Sequence, residues 1–340
     1  SALGLEPTAS VELYNISRVT STTFPLFVDR EYEIPVDVTY NLLEFDATLR
    51  QPIGSENTVV KVGYTRSRYA ADIGSFIIPD GVGLQQAFRN VYLLGTNVWL
   101  QATHRAIHPT VDEAINPVGR TIAFRYTYEN NDYNRDLEYD VRNGLLVPLY
   151  KQFKFHRWEL NWAEHLRLPF SRHTLSLSAR GGAITGGAAD TIFHFYGGGL
   201  IGLKGYPFYS IEGTRVAQAK AEYRLPITRD LDTRIFQFYF TKLYASVFAE
   251  VGDAWTGSVA AAAWKKDAGV ELRLEAFSFY SYPTRISLAG AYGFDRFTRR
   301  IQGETITYGK EWRFYLGILF DFNIGEPFGG RMEEKMRWKR

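Results

Sequence analysis

Residues 197–206 read Gly197-Gly-Gly-Leu-Ile-Gly-Leu-Lys-Gly-Tyr206, and a short linker then leads to Arg215-Val-Ala-Gln-Ala-Lys-Ala-Glu-Tyr-Arg224. In the second run Gln218, Lys220, Glu222 and Arg224 are polar, whereas Ala217, Ala219, Ala221, Tyr223 and Leu225 are apolar. Successive side chains of a strand point to opposite faces, so this spacing predicts a ribbon with one greasy face and one face suited to water or buried charge. The glycine-rich run, ending in Leu203-Lys204-Gly205-Tyr206, reads as a loop able to fold against the charged face.

The period of two recurs on both sides of this stretch. Upstream, Leu43, Phe45, Ala47 and Leu49 interleave with Glu44, Asp46, Thr48 and Arg50, and Ile122, Phe124, Tyr126 and Tyr128 interleave with Thr121, Arg125 and Thr127. Phe153 to Leu168 sets Trp158, Leu160, Trp162, Leu166 and Leu168 against Arg157, Glu159, Asn161, His165 and Arg167. Downstream, five strands are predicted at Thr214–Ile227, Phe240–Gly252, Asp267–Phe279, Thr284–Phe294 and Glu311–Ile324. In the last of these Trp312, Phe314, Leu316, Ile318, Phe320, Phe322 and Ile324 share one face. Eleven strands are clear in this way, with two further candidates at Val11–Thr20 and Tyr139–Tyr150, while 20–35 and 69–90 read as loops.

Composition narrows the class. Aromatic residues make up 16% of the 340 positions, with 22 Tyr and 24 Phe, yet no run approaches the roughly 20 apolar residues of a membrane helix. Alternating strands rich in aromatics fit an all-β fold, a transmembrane antiparallel β-barrel whose outer face meets lipid. An even strand number is expected of such a barrel, hence 12 to 16 strands, some of them lying upstream of residue 1. The formal net charge of +2 makes no case for a nucleic-acid partner, and the absence of cysteine excludes disulfides and thiolate chemistry. The chain opens Ser1-Ala-Leu-Gly4 with neither an initiator Met nor a signal peptide, and reads as a segment of something longer.

Three signatures then fall in succession: Lys204-Gly205-Tyr206, the strand end Ala221-Glu222-Tyr223-Arg224-Leu225-Pro226, and Val247-Phe-Ala-Glu250-Val-Gly252-Asp-Ala-Trp255. Together they resemble the bacterial surface-antigen superfamily of outer-membrane assembly and translocation barrels. The resemblance implies an inward-folded loop before the last five strands, whose basic tip meets acids on the inner faces of the next two strands. Carried over, the tip base is Lys204, with Gly205 and Tyr206 beside it, and the acids are Glu222 and Glu250, the latter followed by Gly252. The family's usual Arg is Lys here and its usual second Asp is Glu, and lysine lacks the bidentate fork of arginine. Tyr315, Gly317, Phe320 and Phe322 resemble the C-terminal signal by which such barrels are recognised for insertion.

The expected organisation is an N-terminal segment or linker over 1–35 with room for one strand, a barrel over 36–324, and a charged extension over 325–340. By resemblance the barrel would assist insertion or passage of polypeptides through a lateral seam and lumen. It would sit integrally in the outer membrane of a diderm bacterium, its partners being the lipid bilayer, client polypeptides, and periplasmic or outer-membrane subunits. The rival readings are a passive channel or structural barrel of a larger envelope complex, and a membrane anchor for an upstream lipase or propeller domain. No enzyme activity, cofactor or metal is expected. The Gly-x-Gly-x-x-Gly spacing at Gly197–Gly202 precedes no predicted helix, as a dinucleotide site would require. His104 and His108 would face one way only on a helix, and no nucleophile motif accompanies the scattered serines and histidines. Glu333 and Glu334 read as part of the solvated tail.

Overall fold

The computed structural model describes residues 7–19, 24–28, 32–78, 83–110, 112–113, 115–135, 139–142, 145–169, 172–279, 282–301 and 304–320. Twelve strands form one antiparallel path in chain order. They are β1 (Thr8–Val19), β2 (Val38–Ile53), β3 (Ser55–Ile73), β4 (Phe88–Ile107), β5 (Gly119–Tyr133), β6 (Lys151–Arg167), β7 (Thr174–Thr185), β8 (Arg215–Thr228), β9 (Phe238–Trp255), β10 (Lys265–Ser278), β11 (Tyr282–Gly293) and β12 (Trp312–Phe320). A short strand, Thr233–Ile235, pairs only with β9.

The candidate strand at Val11–Thr20 is present and belongs to the wall, because β1 pairs with β2 from Thr8↔Arg50 to Val19↔Thr39. It is the one strand for which the N-terminal segment had room, and it starts at Thr8. Two other expectations are corrected. The candidate at Tyr139–Tyr150 does not join the wall; Tyr139–Arg142 and Leu145–Pro148 instead pair with each other as a separate hairpin. The two expected loops also hold strand pairs, Phe24–Val28 with Tyr32–Val36 and Phe76–Ile78 with Gly83–Gln85. Short hairpins within connections satisfy their own backbone groups, which residue propensity alone does not reveal. The predicted end of the last strand beyond Phe320, and the extension over 325–340, lie outside the described residues.

The chain packs as two compact units. In the unit comprising 1–105, 122–160 and 182–194, Val38, Ala71 and Ile73 are buried against Tyr40, Phe88 and Tyr92. Gly63 and Trp99 are paired residues of β3 and β4, and the indole lies where a Gly63 side chain would stand. The Arg125 guanidinium sits 4.7 Å above that ring.

The other unit comprises 106–121, 161–181 and the chain from Phe195 onward, and it carries the candidate site. Along β8 to β12 the alternation separates two chemistries. One face exposes Val247, Val270, Leu272, Leu288, Phe314 and Leu316, the last two 74% and 70% exposed. Large apolar side chains left open along a continuous sheet face are what a strand directed at lipid requires. The opposite face buries Glu222, Arg224, Glu250, Asp267 and Glu271, and here it is called the inner face.

Candidate functional site

The connection between β7 and β8 forms a compact loop. Phe195–Gly197 pairs with Ile211–Gly213, and between them a 3-10 turn spans Gly199–Ile201. Backbone bonds close the loop on itself, from Gly198 N–H to Gly202 O at 2.7 Å and from Gly199 N–H to Tyr206 O at 2.8 Å. The glycines are needed for space and for sign of φ. Gly202 has φ 125°, and a Cβ there would lie 2.5 Å from Gln218 Oε1.

This loop presents Lys204-Gly205-Tyr206 to the inner face. Two consecutive backbone N–H groups donate to two carboxylates: Lys204 N–H to Glu250 at 2.8 Å and Gly205 N–H to Asp267 at 2.7 Å. Those acids are directly paired residues of β9 and β10, so the strand register brings them together. The Lys204 ammonium pairs with Glu271 at 2.6 Å and lies 4.6 Å above the Phe248 ring. The Tyr206 hydroxyl donates to Lys266 O at 2.8 Å and accepts from Asp295 N–H at 3.0 Å. Burial pushes this hydroxyl up to about 12, which keeps its proton available for donation.

The expected ion pairing is therefore corrected. Lys204 meets Glu250 through its backbone, and its ammonium goes to Glu271 rather than to Glu250 or Glu222. Glu222, 2% exposed, instead gathers three cations: Lys220 at 2.7 Å, Arg224 at 2.7 Å and Arg273 at 3.3 Å. Arg273 also reaches Glu271 at 2.6 Å, so a chain of charge runs Lys204, Glu271, Arg273, Glu222. The physical reason lies in spacing. Glu271 stands in the cross-strand row Arg224, Ser246, Glu271, Ala289, Tyr315, whereas Glu222 is already neutralised by its own strand neighbours. Gly252 belongs to strand packing, since a Cβ there would lie 2.7 Å from Gln218 Cγ.

Small residues make the floor on which the tip rests. On β11 the inner-face positions are Ser287, Ala289, Ala291 and Gly293, paired with Gly317, Tyr315, Arg313 and, on β10, Asp267. A Cβ on Gly205 would come within 2.6 Å of Gly293 N and 2.7 Å of Asp267 Cβ. Backbone cannot yield at that distance, so only glycine fits the tip at this position. Tyr315 fills the inner face of β12 beyond this floor. Its hydroxyl donates to Lys204 O at 2.7 Å, which ties the last strand to the loop tip.

Of the residues expected to form an insertion signal, Tyr315 and Gly317 thus stand on the inner face of β12, where a Gly317 Cβ would lie 2.7 Å from Ser287 Oγ. Phe320 ends β12, and Phe322 lies outside the described residues. Sequence reading missed Asp267, Glu271, Arg273 and Phe248. The alternation Lys265, Asp267, Gly269, Glu271, Arg273, Glu275 was the available signal for the first three.

Neither a protein-family model nor a curated protein matches the sequence. Among solved structures, BamA from Haemophilus ducreyi lacking POTRA domains 1–3 superposes with a TM-score of 0.51 at 10% identity. The match covers 91% of this chain and 62% of that one, so the chain spans less than two thirds of its length. The β domain of the Bordetella autotransporter BrkA overlaps more loosely, with a TM-score of 0.29 at 13% identity over 93% of this chain and 98% of that one. The fold is that of a BamA-like β-barrel.

Proposed function

We propose that this chain is an integral outer-membrane barrel that assists insertion or passage of polypeptides through a seam between its first and last strands. The observation that carries the reading is the attachment of Lys204-Gly205-Tyr206 to three strands of the wall: β9 through Glu250, β10 through Asp267 and Glu271, and β12 through Tyr315. A loop that only filled space would need no such directed bonding to the terminal strand. Held at one end by the tip, β12 keeps its position while its free edge pairs with an incoming strand. The lipid bilayer is the solvent of the exposed face, because unpaired backbone is too costly in hydrocarbon for the strands to lie otherwise.

The absence of native cysteine makes the seam directly testable. Leu13 on β1 and Leu316 on β12 are both exposed. A Leu13→Cys, Leu316→Cys variant joined by a bifunctional thiol reagent should lose insertion of a small barrel client into proteoliposomes, while the unlinked variant retains it. Unchanged insertion after complete linking would rule out the seam and leave the passive-channel reading.

A further inference from the structure

A second cluster of charge lies away from the loop tip, at the turns that close the opposite ends of these strands. The turn after β4 is shaped by its own backbone, with Asn116 N–H donating to Asp112 O at 2.6 Å and Glu113 N–H to Thr110 O at 3.1 Å. It delivers Asp112, only 5% exposed, into a group of cations: Arg172 at 3.1 Å, Lys242 at 3.2 Å and Arg229 at 3.5 Å. Asn116 donates to Arg172 O at 3.0 Å and accepts from Thr174, so the turn after β6 is fixed to the turn after β4.

A cavity of about 160 Å³ opens between these two turns, lined among others by Thr110, Asp112, Asn116, Arg167, Arg172 and His173. Its charge does not balance. Of the charged residues that line it, Arg167 and Arg172 stand with one carboxylate, Asp112, which is shared with Arg229 and Lys242 from outside the lining; Lys242 is also 3.0 Å from Glu275. Arg167 makes no hydrogen bond or ion pair among the described residues, although its side chain lines the cavity. Asp112 orients Arg172 without neutralising the group, and Thr110 adds a hydroxyl donor. One guanidinium group held by Asp112, a second left unpaired beside it, and a neighbouring hydroxyl suit a tetrahedral oxyanion.

We propose that this cavity binds a phosphate group, with Arg167 and Arg172 as its charged donors. The phosphate is either the headgroup of an anionic phospholipid or a soluble phosphate, and both present the same oxyanion to the site. The site is separate from the loop tip, because among the described residues none that line it bonds to Lys204, Gly205 or Tyr206.

The test is a phosphorus-31 titration of the folded chain with inorganic phosphate, first in zwitterionic detergent. Saturable binding is expected. Arg167→Gln should weaken it at least about tenfold, the loss of one charge-assisted hydrogen bond, and Arg167→Glu should remove saturation. Arg167 holds no other residue, so both variants should show the wild-type heat-induced shift on gels, which reports folding separately. Repeating the titration in nanodiscs separates the sources. Loss of phosphate binding in phosphatidylglycerol discs, with binding kept in phosphatidylcholine discs, assigns the site to the lipid headgroup. Binding kept in both assigns it to a soluble phosphate. No saturable binding by wild-type chain, or equal affinity in the Arg167→Glu variant, overturns the proposal.

Discussion

A Lys204→Glu variant is expected to release the loop tip and leave the barrel wall standing. The new carboxylate would face Glu271, which loses its ammonium partner, close to Glu250 and Asp267. Removing one member of a buried ion pair costs about 3–5 kcal/mol, because the remaining charge stays desolvated. At about 1.4 kcal/mol per decade, the open population of the loop should rise by about two to three and a half orders of magnitude. The measurement is the rate of protease cleavage within 197–213 under conditions where opening is fast relative to cutting, together with single-channel conductance in a planar bilayer. Both should increase. Wild-type values for both would mean that the ion pair does not hold the tip.

The second large effect is expected at Glu222, for a different reason. Glu222→Gln preserves shape and removes the negative charge on which Lys220, Arg224 and Arg273 converge together. Arg273 retains Glu271, whereas Lys220 and Arg224 lose their carboxylate. A loss of about 3–5 kcal/mol is expected, again as the penalty of uncompensated buried charge. It should appear as a lower urea midpoint for the heat-modifiable gel shift. Because Glu222 does not touch the tip, loop cleavage below that midpoint should stay near the wild-type rate. Rapid cleavage in the folded Glu222→Gln protein would instead place Glu222 in direct support of Lys204.

The contrast between these variants reflects what could be read from the residues alone. Strand identity was legible at β8 and β12, since two chemistries on alternating positions leave a period-two trace in the chain. The inward loop was legible through its resemblance, and the structure does bring Lys204 and Glu250 together. The ammonium's partner was not legible, because it depends on register summed across strands: Glu271 is 67 residues from Lys204 and becomes its neighbour only when β9 and β10 align. The paired backbone donations to Glu250 and Asp267 were hidden for another reason, since main-chain N–H groups carry no residue signature. Tyr315 shows a third limit. A motif resemblance pointed to recognition, whereas the contact that the fold makes with this hydroxyl is a bond to Lys204 O.

The off-wall hairpins at 24–36 and 139–148 failed to declare themselves for a related reason. Their residues suit strands, but whether a ribbon joins a large sheet or only its neighbour is decided by chain reversal and by which edge remains free. Wall strands such as β4, with 20 residues, are long enough to cross a bilayer with length to spare, whereas these hairpins have strands of four or five residues.

The seating of Lys204 on Glu271 is tested most directly by exchanging the two charges. Loop cleavage should be fast in Lys204→Glu and return most of the way to the wild-type rate in the Lys204→Glu, Glu271→Lys double variant, with no such recovery in Lys204→Glu, Glu222→Lys. Recovery with Glu222→Lys and none with Glu271→Lys would contradict the seating of the tip described above.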